Sequence, residues 1–355
     1  MSLRANTLRY ESREHEPQIV RPWQSDLPPN KILAIRLQAL GDTVITLPYL
    51  QALQSSLPST QFDFLTREEF QDLPRNMKMF HRVHAIGGGR NSSRQIISAL
   101  RLIPELRREK YDVVLDLQRN RLTRLVRRIL RPESFSEFDR FSLISAGERT
   151  RQTIERLGFR LADAMVPTLQ LHDEHCGVDK LTEHGCDPSA SFIVLNPAGS
   201  FVTRSWPLEN YVEFARLWRI RVHSDARFLI LGVDLIAEKA LTLARGIGDG
   251  LINLVGKTTT SEAFNVLRRA RLVVSEDSGL MHMAWVAGAP TVALFGSSRS
   301  AWSRPLGKDS VCLNSSDLEC GECLQPTCRF GDVRCLTRYT PEFVVETAKK
   351  LLALE

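Results

Sequence analysis

The first thirty residues lack the apolar core that an export signal carries; they are polar and hold Arg4, Arg9, Arg13 and Arg21, so secretion is not expected. Long apolar runs are also scarce. The longest uncharged stretch, Ser278 to Ser298, approaches the length of a membrane span, but His282 and Gly288-Ala289-Pro290 interrupt it where a helix should hand over to a strand. It reads as core, and the expected location is cytoplasmic, at most peripheral to a membrane. No Gly-x-Gly-x-x-Gly follows the first strand, which argues against a Rossmann dehydrogenase. No short-period repeat is present. At 43% hydrophobic and 25% charged residues, the chain has the balance of a globular protein rather than of a disordered one.

At 355 residues the chain exceeds one average domain, and two are expected. Its formal charge of +6 is unevenly spread. Residues 1–170 hold 27 Lys and Arg against 19 Asp and Glu, whereas the remainder holds 20 against 22. A basic half beside a near-neutral one points to an anionic partner for the first, whether nucleic acid, anionic lipid or a phosphorylated sugar.

Residues 1–30 show no periodicity, end in Pro28-Pro29 and read as an extension. Lys31 to Leu37 is a first strand, Gln38-Ala39-Leu40-Gly41-Asp42 a turn, and Thr43 to Leu53 a helix. Strands at Gln61–Thr66, Arg82–Ile86 and Tyr111–Leu117 then alternate with helices at Ile96–Arg108, Leu122–Leu130 and Glu148–Leu157. That alternation implies a parallel sheet. After a linker around Asp173–Ser191 the pattern restarts, with strands at Phe192–Leu195, Phe228–Gly232, Leu251–Val255, Leu272–Val274 and Thr291–Phe295. Helices at Leu208–Trp218, Ala237–Ala244, Ser261–Arg269 and Gly279–Ala287 separate them, and a last amphipathic helix runs from Pro341 to Leu354.

Three strand ends carry chemistry. Gly41-Asp42-Thr43 follows the first strand, where an aspartate accepts a proton from a substrate hydroxyl or merely caps the next helix. Asn196-Pro197-Ala198-Gly199-Ser200 followed by Arg204-Ser205-Trp206-Pro207 offers a flexible loop for phosphate oxygens and a cation to neutralise them; the bland alternative for Arg204 is a solvated charge. Asp277-Ser278-Gly279 sits where a strand hands over to a helix, the ligand edge of an open α/β sheet, with helix N–H groups suited to a diphosphate. There too an ordinary N-cap is the alternative. His282 orients that loop or is a satisfied core histidine, and Trp206 and Trp285 read as packing residues.

Taken together, Ile35-Arg36-Leu37-(x3)-Gly41-Asp42-(x3)-Thr46-Leu47-Pro48, the Asn196–Ser200 and Arg204–Pro207 segments, and Ser275-(x)-Asp277-Ser278-Gly279-(x2)-His282-(x)-Ala284 through Ala293-Leu294-Phe295-Gly296 resemble glycosyltransferase family 9, the ADP-heptose:lipopolysaccharide heptosyltransferases. The resemblance runs from about Lys31 to the C-terminus. It implies a GT-B architecture, two Rossmann-like parallel-sheet lobes facing a central cleft, and an inverting transfer that needs no metal. It assigns Asp42 as the catalytic base and Arg204 to the leaving diphosphate, where members carry a basic residue. Ser200, Asp277, Ser278 and Gly279 become donor contacts, and Gly41 falls on the acceptor side. A ribose-binding acid should follow Gly232; Asp234 and Glu238 both qualify.

Between Arg101 and Arg131 ten basic residues stand against four acidic ones. Arg119 and Arg121, nearest the strand end, are candidates for the anionic groups of a lipopolysaccharide inner-core acceptor, and the others for an anionic membrane face; a solvated helix face is the plain alternative. Cys320-x2-Cys323-x4-Cys328-x6-Cys335, with Cys312 upstream, has the spacing of a structural zinc site; the alternatives are free thiols and, disfavoured in a reducing compartment, disulfides. Cys176 and Cys186 read as lone thiols.

The expected organisation is an N-terminal extension (1–30), an acceptor-binding lobe (31–180), a nucleotide-sugar lobe (181–340) with a cysteine-rich loop (312–335), and a C-terminal helix (341–355) packing back across the lobes. The expected partners are an ADP-sugar, a lipopolysaccharide core acceptor and the inner face of an inner membrane, with no specific nucleic acid. The alternatives are the same fold using another nucleotide sugar or acceptor, and a non-catalytic nucleotide- or glycan-binding protein.

Overall fold

The computed structural model describes residues 18–161 and 168–354. The chain forms two compact units, the first ending at His172 and the second beginning at Asp173.

The sheet of the first unit is built from β1 (Val20–Arg21), β2 (Lys31–Ile35), β3 (Gln61–Arg67), β4 (Arg82–Ile86), β5 (Val113–Asp116) and β6 (Ser134–Glu137). Their order is β1-β6-β5-β2-β3-β4. All neighbours are parallel except β1, which pairs antiparallel with β6. Strands of a parallel sheet are covered on both faces and therefore read as unbroken apolar runs; Ile32, Leu33, Ala34 and Ile35 are all fully buried. The helix Ser92–Glu109 is N-capped by Asn91, whose side-chain oxygen accepts from the Arg94 N–H at 3.0 Å. It lays Ala99 and Leu106 against Leu33, Ile35, Leu65 and Val114 in the unit's core.

The second unit contains β7 (Phe192–Asn196), β8 (Arg227–Ile230), β9 (Leu251–Asn253), β10 (Leu272–Glu276), β11 (Thr291–Leu294) and β12 (Ser310–Leu313), in the order β12-β11-β10-β7-β8-β9 and wholly parallel. In each unit the chain winds outward from its first long strand in one direction and then in the other. The order reverses between β2 and β5 in the first unit and between β7 and β10 in the second. Ligands of doubly wound sheets sit at that reversal, at the C-terminal ends of the strands.

The structure differs from the sequence expectations at several points. Part of the N-terminal extension is a strand, because Val20 and Arg21 find hydrogen-bonding partners in Ser136 and Phe135 at the open edge of the sheet; residues 1–17 lie outside the described residues. The division between units falls at 172/173 rather than at 180/181. The supposed linker holds the helix Val178–Glu183, and Asn265 ties its approach by donating to the Asp173 carbonyl at 3.0 Å. β6 and β12 were not anticipated: Ser-Phe-Ser-Glu is mostly polar, and Ser-Val-Cys-Leu is a four-residue run at the start of the cysteine-rich segment. The helix Pro341–Leu351 buries Val344, Val345 and Ala348 in the core of the second unit. None of the described helices is long and apolar enough to cross a membrane.

Candidate functional site

In the first unit, β2 exits directly into the helix Leu40–Ser56, which places Gly41 and Asp42 in its first turn at the strand-order reversal. Asp42 Oδ2 accepts the Ala39 N–H at 3.2 Å and pairs with Arg36 Nη2 at 3.0 Å. Its side chain nonetheless remains 43% exposed, so the carboxylate both satisfies an orphan helix N–H and stays accessible. Arg36 itself is buried. It donates to the Leu117 carbonyl and lies over the Phe138 ring, 4.9 Å from its centroid. Gln118 Oε1 accepts from Leu37 N–H at 3.0 Å and Gln38 N–H at 3.1 Å. The turn bearing Asp42 is therefore pinned to the exit of β5 by two side chains. Asp116, fully buried at that exit, has its carboxyl pushed up to about 6 by burial, while the N–H groups of Arg119 and Gln118 pull the other way.

The basic segment divides in two. Arg119, Arg124 and Arg127 turn inward onto Glu137, which is fully buried at the end of β6. The nearest contacts are Arg127 Nη2 at 2.6 Å and Arg124 Nε at 3.1 Å. Arg119, expected at the acceptor, is thus committed to an internal ion cluster; its backbone takes the left-handed conformation, with φ of 48°, as it turns in. Arg121, two residues on, is exposed, as are Arg101, Arg107, Arg108, Lys110, Arg128 and Arg131. Glu137 was missed because nothing in Ser-Phe-Ser-Glu marks a buried carboxylate.

In the second unit, the loops after β7 and β10 flank the strand-order reversal and are stitched together. Asn196 Nδ2 donates to Ser275 Oγ and Ser278 Oγ, both at 2.7 Å. Ser278 also caps the helix Gly279–Val286 by accepting the Met281 N–H at 3.2 Å. Arg204 Nη1 reaches to 3.9 Å from Asp277 Oδ2, and its Nε is buried with no hydrogen-bond partner. The two segments singled out separately in the sequence therefore converge on one spot. Ser200 is exposed at the loop tip, and Gly279 opens the helix. His282 is buried and accepts from Trp285 Nε1 at 3.3 Å.

Asp234 and Glu238 are both exposed after Gly232, and Asp234 packs its carboxylate over Gly256. The residue of that segment tied into the site is Lys239. Its ammonium donates to the carbonyls of Pro197 and Gly199, each at 3.0 Å, and to Ser205 Oγ at 3.1 Å. Glu276, fully buried at the end of β10, accepts from the Trp206 N–H at 2.6 Å and from the Gly199 N–H. Burial pushes its carboxyl up to about 7, against the opposing pull of Lys239 and the Gly199 and Trp206 N–H groups. Lys239 and Glu276 were passed over in the sequence, although an acid directly after Leu-Val-Val-Ser, at the last position of the strand, was a usable signal.

The cysteine-rich loop braces this site. Leu324 N–H donates to the Ser297 carbonyl at 2.8 Å, and the Ser297 N–H to the Thr203 carbonyl at 2.9 Å. The Thr203 hydroxyl in turn donates to the Gln325 carbonyl, next to Arg204. All seven cysteines are unpaired. Among the described residues no three His, Cys, Asp or Glu side chains are placed as a ready set of metal ligands, although Cys320, Cys323 and Cys328 lie close enough to Cys335 to act on its thiol. Burial and the neighbouring thiols push Cys335 up to about 11. At Cys328 burial works in the same sense, but the N–H groups of Phe330, Val333 and Gly331 outweigh it and lower the thiol.

The sequence matches the model of Glycosyltransferase family 9 (heptosyltransferase) over residues 148–334, just over half of the chain. It is 26% identical to lipopolysaccharide heptosyltransferase 1 of Pseudomonas aeruginosa, over 91% of this chain and 98% of that one. Among solved structures, the glycosyl transferase family 9 protein from Veillonella parvula superposes with a TM-score of 0.80 at 19% identity, covering 94% of this chain and 99% of that one. ADP-heptose lps heptosyltransferase II of E. coli superposes with a TM-score of 0.70 at 20% identity, covering 91% and 98%.

Proposed function

Because the chain belongs to glycosyltransferase family 9, the heptosyltransferase family, we propose that it transfers a heptose from ADP-heptose to an inner-core sugar of lipopolysaccharide, with inversion and without a catalytic metal. The acceptor oxygen bonds to the anomeric carbon as its proton passes to Asp42. The bond from that carbon to the diphosphate oxygen breaks on the opposite face, and ADP leaves. Arg204 neutralises the charge that grows on the diphosphate, and the N–H groups at the start of the helix Gly279–Val286 add to it.

The observation that carries this reading is the convergence of Arg204 and Asp277 at the strand-order reversal of the second unit. An exposed carboxylate at the matching reversal of the first unit accompanies it. A nucleotide-binding protein with no chemistry to perform would not need that second group. The ADP-heptose and lipopolysaccharide parts of the reading draw on the named relatives.

Calorimetric titration with ADP, UDP, GDP and NAD, followed by transfer from ADP-heptose to heptose-less lipopolysaccharide, tests it. Selective ADP binding and transfer are expected; preference for UDP or GDP would move the donor away from heptose. Asp42→Asn should lower turnover by about 10²–10⁴-fold with ADP binding retained, and normal turnover would remove Asp42 as the base.

The same reading places the protein on the cytoplasmic face of an inner membrane. Exposed Arg101, Arg107 and Arg108 share the helix Ser92–Glu109 with exposed Ile96, Ile97 and Leu100. Basic residues near an anionic surface contribute about 1 kcal/mol each. Co-sedimentation with phosphatidylglycerol vesicles but not with phosphatidylcholine vesicles is expected, and equal partitioning would sink this part.

A further inference from the structure

The loop from Asn196 to Trp206 is held by two charges that the transfer chemistry itself does not use, the buried Glu276 and the partly buried Lys239. Glu276 grips it at both ends, taking the N–H groups of Gly199 and Trp206. Between those two residues lies Arg204. Lys239, from the helix Ala237–Ile247, takes the carbonyls of Pro197 and Gly199 together with Ser205 Oγ.

The direction of these bonds matters. In a trans peptide the carbonyl of one residue and the N–H of the next point opposite ways. With the Pro197 and Gly199 carbonyls drawn to Lys239, the Ala198 and Ser200 N–H groups face away from it. Neither has a hydrogen-bond partner among the described residues. Two unpartnered N–H groups on a short loop that also carries an arginine whose Nε is buried and unsatisfied are donors suited to anionic oxygens.

A carboxylate is a costly way merely to satisfy two backbone N–H groups, because taking it out of water opposes folding by several kcal/mol unless it is well paired. Here the pairing is supplied by Lys239 and the two N–H groups, with the Tyr211 hydroxyl also favouring the ionised form. Arg204, on this loop, reaches to 3.9 Å from Asp277 on the loop after β10. The geometry also leaves no slack, since a β-carbon on Gly199 would lie 2.6 Å from Glu276 Oε2.

We infer that Glu276 and Lys239 are paired positioning residues for the donor diphosphate: they fix the peptide planes of the Pro197–Trp206 loop so that the Ala198 and Ser200 N–H groups and the Arg204 guanidinium face the phosphates. This rests on the reading of that loop as the donor site. Neither residue touches substrate; each acts through the loop.

The test uses the full chain, with ADP as the probe, and compares wild type with Glu276→Gln and Lys239→Met. Gln keeps the volume and one acceptor oxygen, and Met keeps the stem of the lysine. Each variant should weaken ADP binding and raise the donor KM by about tenfold or more, as loss of a charge-assisted hydrogen bond implies. The acceptor KM should stay unchanged. Wild-type ADP affinity should exceed that of Glu276→Gln by a larger factor at pH 8 than at pH 6, because the Glu276 carboxyl is protonated as pH falls through about 7 and wild type then approaches its amide.

A purely structural pair would lower the unfolding midpoint while leaving ADP affinity and the pH ratio alone, and that pattern in both variants overturns the inference. If Glu276→Gln does not fold, Lys239→Met decides by the same criteria. If wild type binds no nucleoside diphosphate at all, the donor reading itself fails and the inference falls with it.

Discussion

Adding one methyl group at Gly199 should disable the donor site while leaving the fold in place. The β-carbon of Gly199→Ala would lie 2.1 Å from the Arg204 carbonyl oxygen, 2.6 Å from the Arg204 carbonyl carbon and 2.6 Å from Glu276 Oε2. Ordinary contact begins at 3.4 Å, so the loop must open by about 1.3 Å. The colliding atoms are main chain and a carboxylate already engaged by the Trp206 N–H, so no flexible side chain can swing aside. Gly199 is not among the residues in the left-handed region; space, not backbone conformation, forbids the alanine. A displacement of this size in a positioning element costs about 10²-fold in rate, equivalent to about 2.7 kcal/mol. Stability should fall by about 1–3 kcal/mol, the usual cost of overpacking, which leaves the fold in place. The assay is kcat/KM for ADP-heptose beside thermal unfolding. A variant whose kcat/KM stays within about threefold of wild type would show that the loop opens freely, and the picture of a rigid phosphate cradle would be wrong.

Glu137→Gln should destabilise the first unit by about 3–5 kcal/mol, since it removes the buried carboxylate on which Arg119, Arg124 and Arg127 converge; denaturant unfolding reads it, and a loss under about 1 kcal/mol would show that water reaches the cluster. Asp116→Asn should stabilise. The folded carboxyl titrates near 6, above its ordinary 3.8, so its stabilising contribution is full below about pH 4 and is lost as pH rises through 6. The variant's advantage over wild type should therefore appear between pH 4 and 6 and plateau at about 2–3 kcal/mol above that. Equal stability curves would mean that Asp116 ionises without penalty. Metal analysis of the purified protein tests the structural-zinc reading of Cys320, Cys323, Cys328 and Cys335: one zinc per chain would support it, and zinc well below one per chain would leave them as free thiols.

How far the sequence could be read depended on how local the cause was. β4 spans the residues expected, Arg82–Ile86, because a short apolar run before three glycines needs no distant partner to be recognised. The organising loop was legible for the same reason: strand, Asp277-Ser278-Gly279, helix is a local syntax, and the hydroxyl of Ser278 does cap its helix. Arg119 and Arg121 could not be separated in this way. They are two residues apart and alike in charge, yet one is buried on Glu137 and the other is exposed.

The sequence by itself determined the alternation of strands and helices, the restart after the first unit, and the strand ends where chemistry collects. Each of these follows from hydrophobic periodicity and turn residues within a few positions. Only the tertiary structure decided which charges face outward and which are consumed within. The Glu276 carboxylate meets the Gly199 N–H across 77 residues of chain, and Lys239 meets the carbonyl of Gly199 across 40. A charge can be buried only where partners arrive to compensate it, and the order of strands in the sheet is what brings those partners together.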